Sequence, residues 1–196
     1  MRLVVAVSGA SGAPYAKALL DFLAEHGPAH GVTVDLVLTT TGKQVWAQEL
    51  GGAPKYPFKT WSNMDFTAPF ASGSSQYDAM VVIPCSAGAL SRIAYGLSVD
   101  LVGRAADVML KERRRLLLVL RETPISLAHA RALTQVIEAG AVVMPASPSF
   151  YSGPRTIDEL VGTVVARVLD RLGLPNDLMK RWTGLTPRAP EPVEEP

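Results

Sequence analysis

The chain has 196 residues, with 19 Lys and Arg against 18 Asp and Glu and a formal net charge of +1. That balance leaves no electrostatic footprint for nucleic acid or for an acidic membrane surface, and the length suits one domain with a sizeable core. The single cysteine, Cys85, excludes an intrachain disulfide and fits a reducing, cytoplasmic compartment. His26, His30 and His129 are scattered without metal-ligand spacing. The N-terminal MRLVVAVSGASG is too short for a membrane span and lacks signal-peptide character.

Leu3–Val7, β-branched and apolar, is predicted as a first strand. Ser8-Gly9-Ala10-Ser11-Gly12 follows at once, then a helix over Ala13–Glu25. Strand, glycine turn and helix N-terminus can set backbone N–H groups against a phosphate. The spacing matches neither the GxGxxG fingerprint nor a Walker A loop, and a tight turn needs glycine in any case. Val32–Leu38 reads as a second strand, ending in Thr39-Thr40-Thr41-Gly42, whose hydroxyls can cap a helix over Lys43–Leu50. Residues 51–78, rich in Gly, Pro, Ser and aromatics, read as irregular, a lid or an interface arm. Ala79–Ile83 is a third, buried strand closed by Pro84-Cys85-Ser86-Ala87-Gly88. Ser86 can cap the following helix, which runs to about Tyr95, and the small residues equally admit a flat ligand against the backbone.

After Gly96, Leu101, Ala105 and Met109 form one apolar helical face. Lys111, Arg113, Arg114 and Arg115 crowd the end of that helix, where the dipole favours cations. Leu116–Leu120 is short and uniformly apolar, as a buried parallel strand is. Arg121 and Glu122 close it before Thr123-Pro124, as either a site or a capping ion pair. Ser126 caps a helix over Leu127–Ala139 that Gly140 stops. Ala141–Met144 is a further strand, followed by PASPSFYSGP, and Thr156 caps a last helix, Ile157–Leu172, which carries Arg167. The Pro- and Glu-rich residues 186–196 read as a mobile tail on a domain spanning 1–185. Alternating strands and helices predict a single three-layer α/β domain with a parallel sheet. Five strands are read, and their carboxyl ends face one side, where such sheets bind ligands.

The residues permit limited chemistry. No Ser-His-Asp order is supported, and no adjacent aspartates offer a magnesium motif. Lys111, Arg121, Arg167 and the Tyr151 hydroxyl are candidate phosphate binders that need no metal. Glu122, alone among carboxylates in standing at a strand end, is the candidate general acid or base.

GASG after the first strand, PCSAG, RAADVMLKERR, RETP, GAVVMPASPSFY and RTIDELV followed by VARVLD together resemble the UbiX-type flavin prenyltransferases, from Leu3 to about Trp182. LKERR followed by RETP is the specific part; GASG alone is weak. The resemblance implies a Rossmann-like (flavodoxin-like) fold and an enzyme that joins the dimethylallyl group of dimethylallyl monophosphate to N5 and C6 of reduced FMN. The product would serve a UbiD-type decarboxylase. FMN would lie against Gly9, Ala10, Ser11, Thr39, Ser86, Ala87, Gly88, Ala89 and Arg121. The allylic phosphate would meet Lys111, Tyr151 and Arg167, with Arg104 and Glu49 close by and Phe66 in an aromatic wall. Glu122 would move protons, Ser11 would act at the flavin N5 edge, and Lys111 would assist at the phosphate. No metal would be needed, and the assembly would be a homododecamer. Phe66 stands where tryptophan is frequent, Thr39 for serine, Ala89 for threonine, Arg115 for proline and Ser149 for glycine; none removes a proposed catalytic group. A flavin-dependent cysteine decarboxylase is the nearest rival, but it would use a histidine before the third strand and an Asn in a PxSANT-like motif. No histidine lies between His30 and His129, and PCSAGA stands in that place. A non-catalytic flavin-binding protein would require neither Glu122 nor Lys111.

Overall fold

The apolar runs assemble into one six-stranded sheet, parallel throughout, in the order β3-β2-β1-β4-β5-β6. The structure, a computed structural model, describes residues 1–184, so the expectation for the tail from 186 lies outside the described residues. The elements are β1 (Arg2–Val7), α1 (Ala13–His26), β2 (Thr33–Leu38), α2 (Thr40–Leu50), β3 (Lys59–Ser62), β4 (Ala79–Cys85), α3 (Ala87–Ala94), α4 (Leu101–Lys111), β5 (Arg115–Leu120), α5 (Leu127–Glu138), β6 (Val142–Pro145) and α6 (Ile157–Leu172).

Successive strand side chains point to opposite faces, so a strand covered on both sides must be apolar at every position. Leu3, Val5 and Val7 of β1 pack with α1 and α6 on one face, while Val4 and Ala6 pack with α3, α4 and α5 on the other. The result is three layers.

Two expectations are corrected. The stretch 51–78 is not simply irregular: Lys59–Ser62 forms β3, which pairs with β2 from Asp35↔Lys59 to Leu38↔Ser62. Four residues at a sheet edge, none of them fully buried, give no periodic signal. The stretch is also pinned down, as Trp61 Nε1 donates to Asp35 at 2.6 Å, Tyr77 Oη donates to the same carboxylate at 2.7 Å, and Phe70 is fully buried. Helix α2 starts at Thr40, three residues before the expected Lys43, because Thr39 caps it by accepting from Gly42 N at 2.9 Å. Ser86, Ser126 and Thr156 cap their helices as read from the sequence.

Helix α2 sits tightly on the end of β1. A Cβ on Gly42 would overlap the Val7 carbonyl, which is backbone and cannot swing away. Gly42→Ala is expected to lower stability by about 1–3 kcal/mol through overpacking, read as a lower urea midpoint with an unchanged slope; an unshifted midpoint would contradict this packing.

Candidate active site

The strand order reverses direction between β1 and β4: β2 and β3 extend one way from β1, β5 and β6 the other. Turns leaving such a switch point diverge and open a crevice at the strand carboxyl ends. The turn after β1, Ser8–Gly12, and the turn after β4, at Ser86, flank this crevice. They are joined through Ser8, whose hydroxyl donates to the Pro84 carbonyl at 2.8 Å and accepts from Ser86 N at 2.8 Å. Arg121 follows β5 beside them, its N–H bonded to the Cys85 carbonyl at 2.9 Å. Thr39 stands at the end of β2. The structure thus brings together the expected Gly9, Ala10, Ser11, Thr39, Ser86, Ala87, Gly88, Ala89 and Arg121 along one rim. The helices α2 and α3 point their N-termini at it, which suits a bound anion.

Glu49 takes the N-terminus of α1. Its carboxylate accepts from Gly12 N at 3.0 Å and from Ala13 N at 2.7 Å. Burial works to raise its pKa, but the Ser11 hydroxyl, these two N–H groups and the Arg121 charge outweigh it and hold the carboxyl below the ordinary glutamate range. With the Ser11 hydroxyl beside it, the Glu49 carboxylate fills the α1 terminus that the glycine turn seemed to offer a phosphate. Tyr15, on the first turn of α1, packs its ring against Gly12. Burial raises the pKa of its hydroxyl, against the lowering field of Arg121. Sequence reasoning passed over both Tyr15 and Ser8. Buried Cys85 has its thiol pushed up to about 12, chiefly by desolvation, so it is no nucleophile at neutral pH.

Glu122 does not form the capping ion pair left open above; its Oε1 accepts from Thr123 N at 3.1 Å. At the β6 edge Tyr151 and Arg167 line one cavity of about 570 Å³ with Ser149, Thr163 and Arg171. Thr163, 3 % exposed, accepts from Ser149 N at 3.1 Å and so fixes the loop that carries Tyr151. Arg167 lies 3.3 Å from Asp170, which Arg181 grips with two bonds of 2.7 and 2.8 Å. Hydrogen bonding from Arg181, foremost, keeps the Asp170 carboxyl below its usual range, against a smaller opposing effect of burial. Trp182 closes edge-on against Tyr151 at 5.6 Å between centroids.

Lys111, Arg104 and Phe66 do not join this cluster within one chain. Lys111 ends α4, just before β5 begins, with its Nζ 3.7 Å from Glu112, while Arg121 and Glu122 follow the other end of the same strand. At about 3.3 Å per residue, the strand separates them by roughly 20 Å. Arg104 bonds the Ala71 carbonyl at 2.9 Å on the α4 layer, and Phe66, 45 % exposed, follows β3 at the sheet edge away from β6. Among the described residues no three His, Cys, Asp or Glu side chains converge as a metal site, and no helix is long and apolar enough to cross a membrane.

The Flavoprotein family model matches residues 1–169. Flavin prenyltransferase UbiX of Thermoplasma acidophilum is 44% identical over 186 residues, covering 93% of this chain and 100% of the relative. A dodecameric FMN-dependent UbiX-like decarboxylase from Escherichia coli O157:H7 superimposes with a TM-score of 0.88 at 40% identity, covering 94% of this chain and 100% of that one. AnUbiX in complex with FMN and dimethylallyl pyrophosphate gives 0.85 at 37% identity, covering 94% and 98%.

The depressed Glu49 pKa fixes the sign of a pH effect. The stabilisation is complete above the unfolded glutamate value of about 4.3 and is lost as the pH falls through the lower folded value. The gap in urea midpoint between the wild type and Glu49→Gln is therefore expected to be widest near neutrality and to close on acidification; a pH-independent gap would contradict the assignment.

Proposed function

The chain belongs to the Flavoprotein family and, within it, to the UbiX-type flavin prenyltransferases, and on that footing we propose how its residues carry the reaction. It is a transferase that moves a dimethylallyl group onto FMN, and the observation that carries this reading is the rim where the turns of β1, β2, β4 and β5 meet beside the Tyr151–Arg167 cavity. Reduced FMN, when bound, supplies N5 and C6, to which the dimethylallyl group becomes joined as phosphate leaves. Gly9–Ser11, Thr39, Ser86–Ala89 and Arg121 bind it. The small turn residues let the backbone approach a flat ring, and the α2 and α3 termini with Arg121 favour its anionic phosphate.

Tyr151 and Arg167 take the phosphate of dimethylallyl monophosphate. Arg167 can exchange Asp170 for the incoming anion, leaving Asp170 paired with Arg181. Glu122, as the carboxylic acid, delivers a proton to the departing phosphate, and the carboxylate so formed accepts one back from the adduct, so the acid is restored. Ser11, held by Glu49, is oriented toward the flavin N5 edge. Departure of phosphate is promoted by preorganised cations in place of a metal. Lys111, Arg104 and Phe66 reach this site from a neighbouring subunit of a homo-oligomer, which we take to be a dodecamer. That arrangement reconciles their remote position in one chain with a site closed to water. The enzyme works in the cytoplasm and passes its product to a UbiD-type decarboxylase. The absence of a histidine between His30 and His129 weighs against cysteine decarboxylation.

Glu122→Gln is expected to bind FMN as the wild type does and to lose about a hundredfold or more in rate, measured by the mass of flavin recovered after incubation with reduced FMN and either dimethylallyl monophosphate or the diphosphate. Full activity would remove Glu122 from the mechanism. Chelator treatment should leave the wild-type rate unchanged; a metal-restored loss would contradict the metal-free reading. Lys111→Ala and Glu122→Gln chains, each inactive alone, are expected to recover part of the activity when co-assembled, whereas no recovery would place Lys111 outside a shared site.

A further inference from the structure

We infer that Ser8 is a positioning residue for flavin binding, a role that rests on the reading above in which the turns after β1 and β4 hold FMN. The regular β1–β4 ladder runs only from Leu3↔Ala79 to Ala6↔Val82. Beyond it stands Pro84, which has no N–H to offer, and β4 shifts register against β5 between Val82 and Cys85. The two turns that enclose the crevice would therefore leave the sheet without a shared tie. Ser8 supplies it three times over: its N–H donates to the Pro84 carbonyl at 3.2 Å, its hydroxyl donates to the same oxygen at 2.8 Å, and that hydroxyl accepts from Ser86 N at 2.8 Å.

The hydroxyl is thus both donor and acceptor, and its residue is 2 % exposed, so water cannot substitute for it. Ser86, in turn, is the N-cap of α3 and accepts from Ala89 N at 3.2 Å. One buried side chain therefore sets the distance between Gly9–Ser11 on one wall and Ser86–Ala89 on the other. Removing it leaves the Ser86 N–H without its partner and the Pro84 carbonyl held by the Ser8 N–H alone, and the turns are free to separate. Ser8 touches neither the reacting atoms nor, by this account, the flavin; it acts through the turns.

The test measures the dissociation constant of oxidised FMN by fluorescence quenching, together with the thermal midpoint, in wild type, Ser8→Ala, Ser8→Thr and Val5→Ala. Val5 lies on β1, the strand that leads into Ser8, fully buried in the core, and serves as the control for lost stability alone. Ser8→Ala is expected to weaken FMN binding by about tenfold. The KM for dimethylallyl monophosphate should stay unchanged. Ser8→Thr, which keeps the hydroxyl, should restore binding, and Val5→Ala should lower the thermal midpoint without changing FMN affinity. Should Ser8→Ala not fold, Ser8→Cys carries the same comparison. Wild-type FMN affinity in Ser8→Ala, or an equal loss in Val5→Ala, would overturn the assignment. A wild-type chain that binds no FMN would overturn the functional reading and this assignment together.

Discussion

Parallel strand direction is the constraint from which the site follows. Because every strand of the sheet runs the same way, each turn that leaves a strand opens onto one rim. Residues as far apart in the chain as Ser11 and Arg121 are thereby brought to the same edge. The reversal of strand order between β1 and β4 then decides where along that rim the crevice lies. Neither feature depends on the chemistry of the site. Both depend on strands such as Leu3–Val7 and Leu116–Leu120, apolar at every position because helices cover both faces.

Within that frame the electrostatics are distributed with some economy. Of the helix N-termini at the rim, that of α1 is satisfied internally by Glu49. That carboxylate binds the terminus, holds the Ser11 hydroxyl and lies in the field of Arg121. At the β6 edge a second carboxylate, Asp170, plays a comparable part, engaging Arg167 and Arg181 together. Such pairs keep cations oriented before an anion arrives, and most of the benefit of preorganised charge lies in avoiding reorganisation when the reaction occurs.

Much of this was legible in the sequence, and what was not has identifiable causes. Long apolar runs and capping residues such as Ser86, Ser126 and Thr156 declared the helices and the buried strands, since burial and capping leave a local trace. Strand β3 left none: Lys59–Ser62 is short, lies at the edge and owes its place to Asp35 and to packing around Phe70. The residues expected beside the flavin, each at the end of its own strand, could be read one turn at a time. Ser8 could not, since its worth lies in contacts with residues 76 and 78 positions away. Lys111 was recognised as a phosphate-binding type of residue, but helix direction carries it to the rim opposite Glu122. The role proposed for it beside Glu122 therefore calls for a second copy of the chain.

The central claim is that the crevice between the β1 and β4 turns is where the flavin sits. Hydrogen–deuterium exchange with and without FMN tests it directly, because backbone N–H groups in the binding turns should become protected while those elsewhere do not. The account predicts protection confined to residues 8–13, 39–42, 85–90 and 121–122, with the amino-end turns around residues 76–78 and 113–115 unchanged. Protection at those amino-end turns, with none beside Ser8 and Ser86, would contradict it.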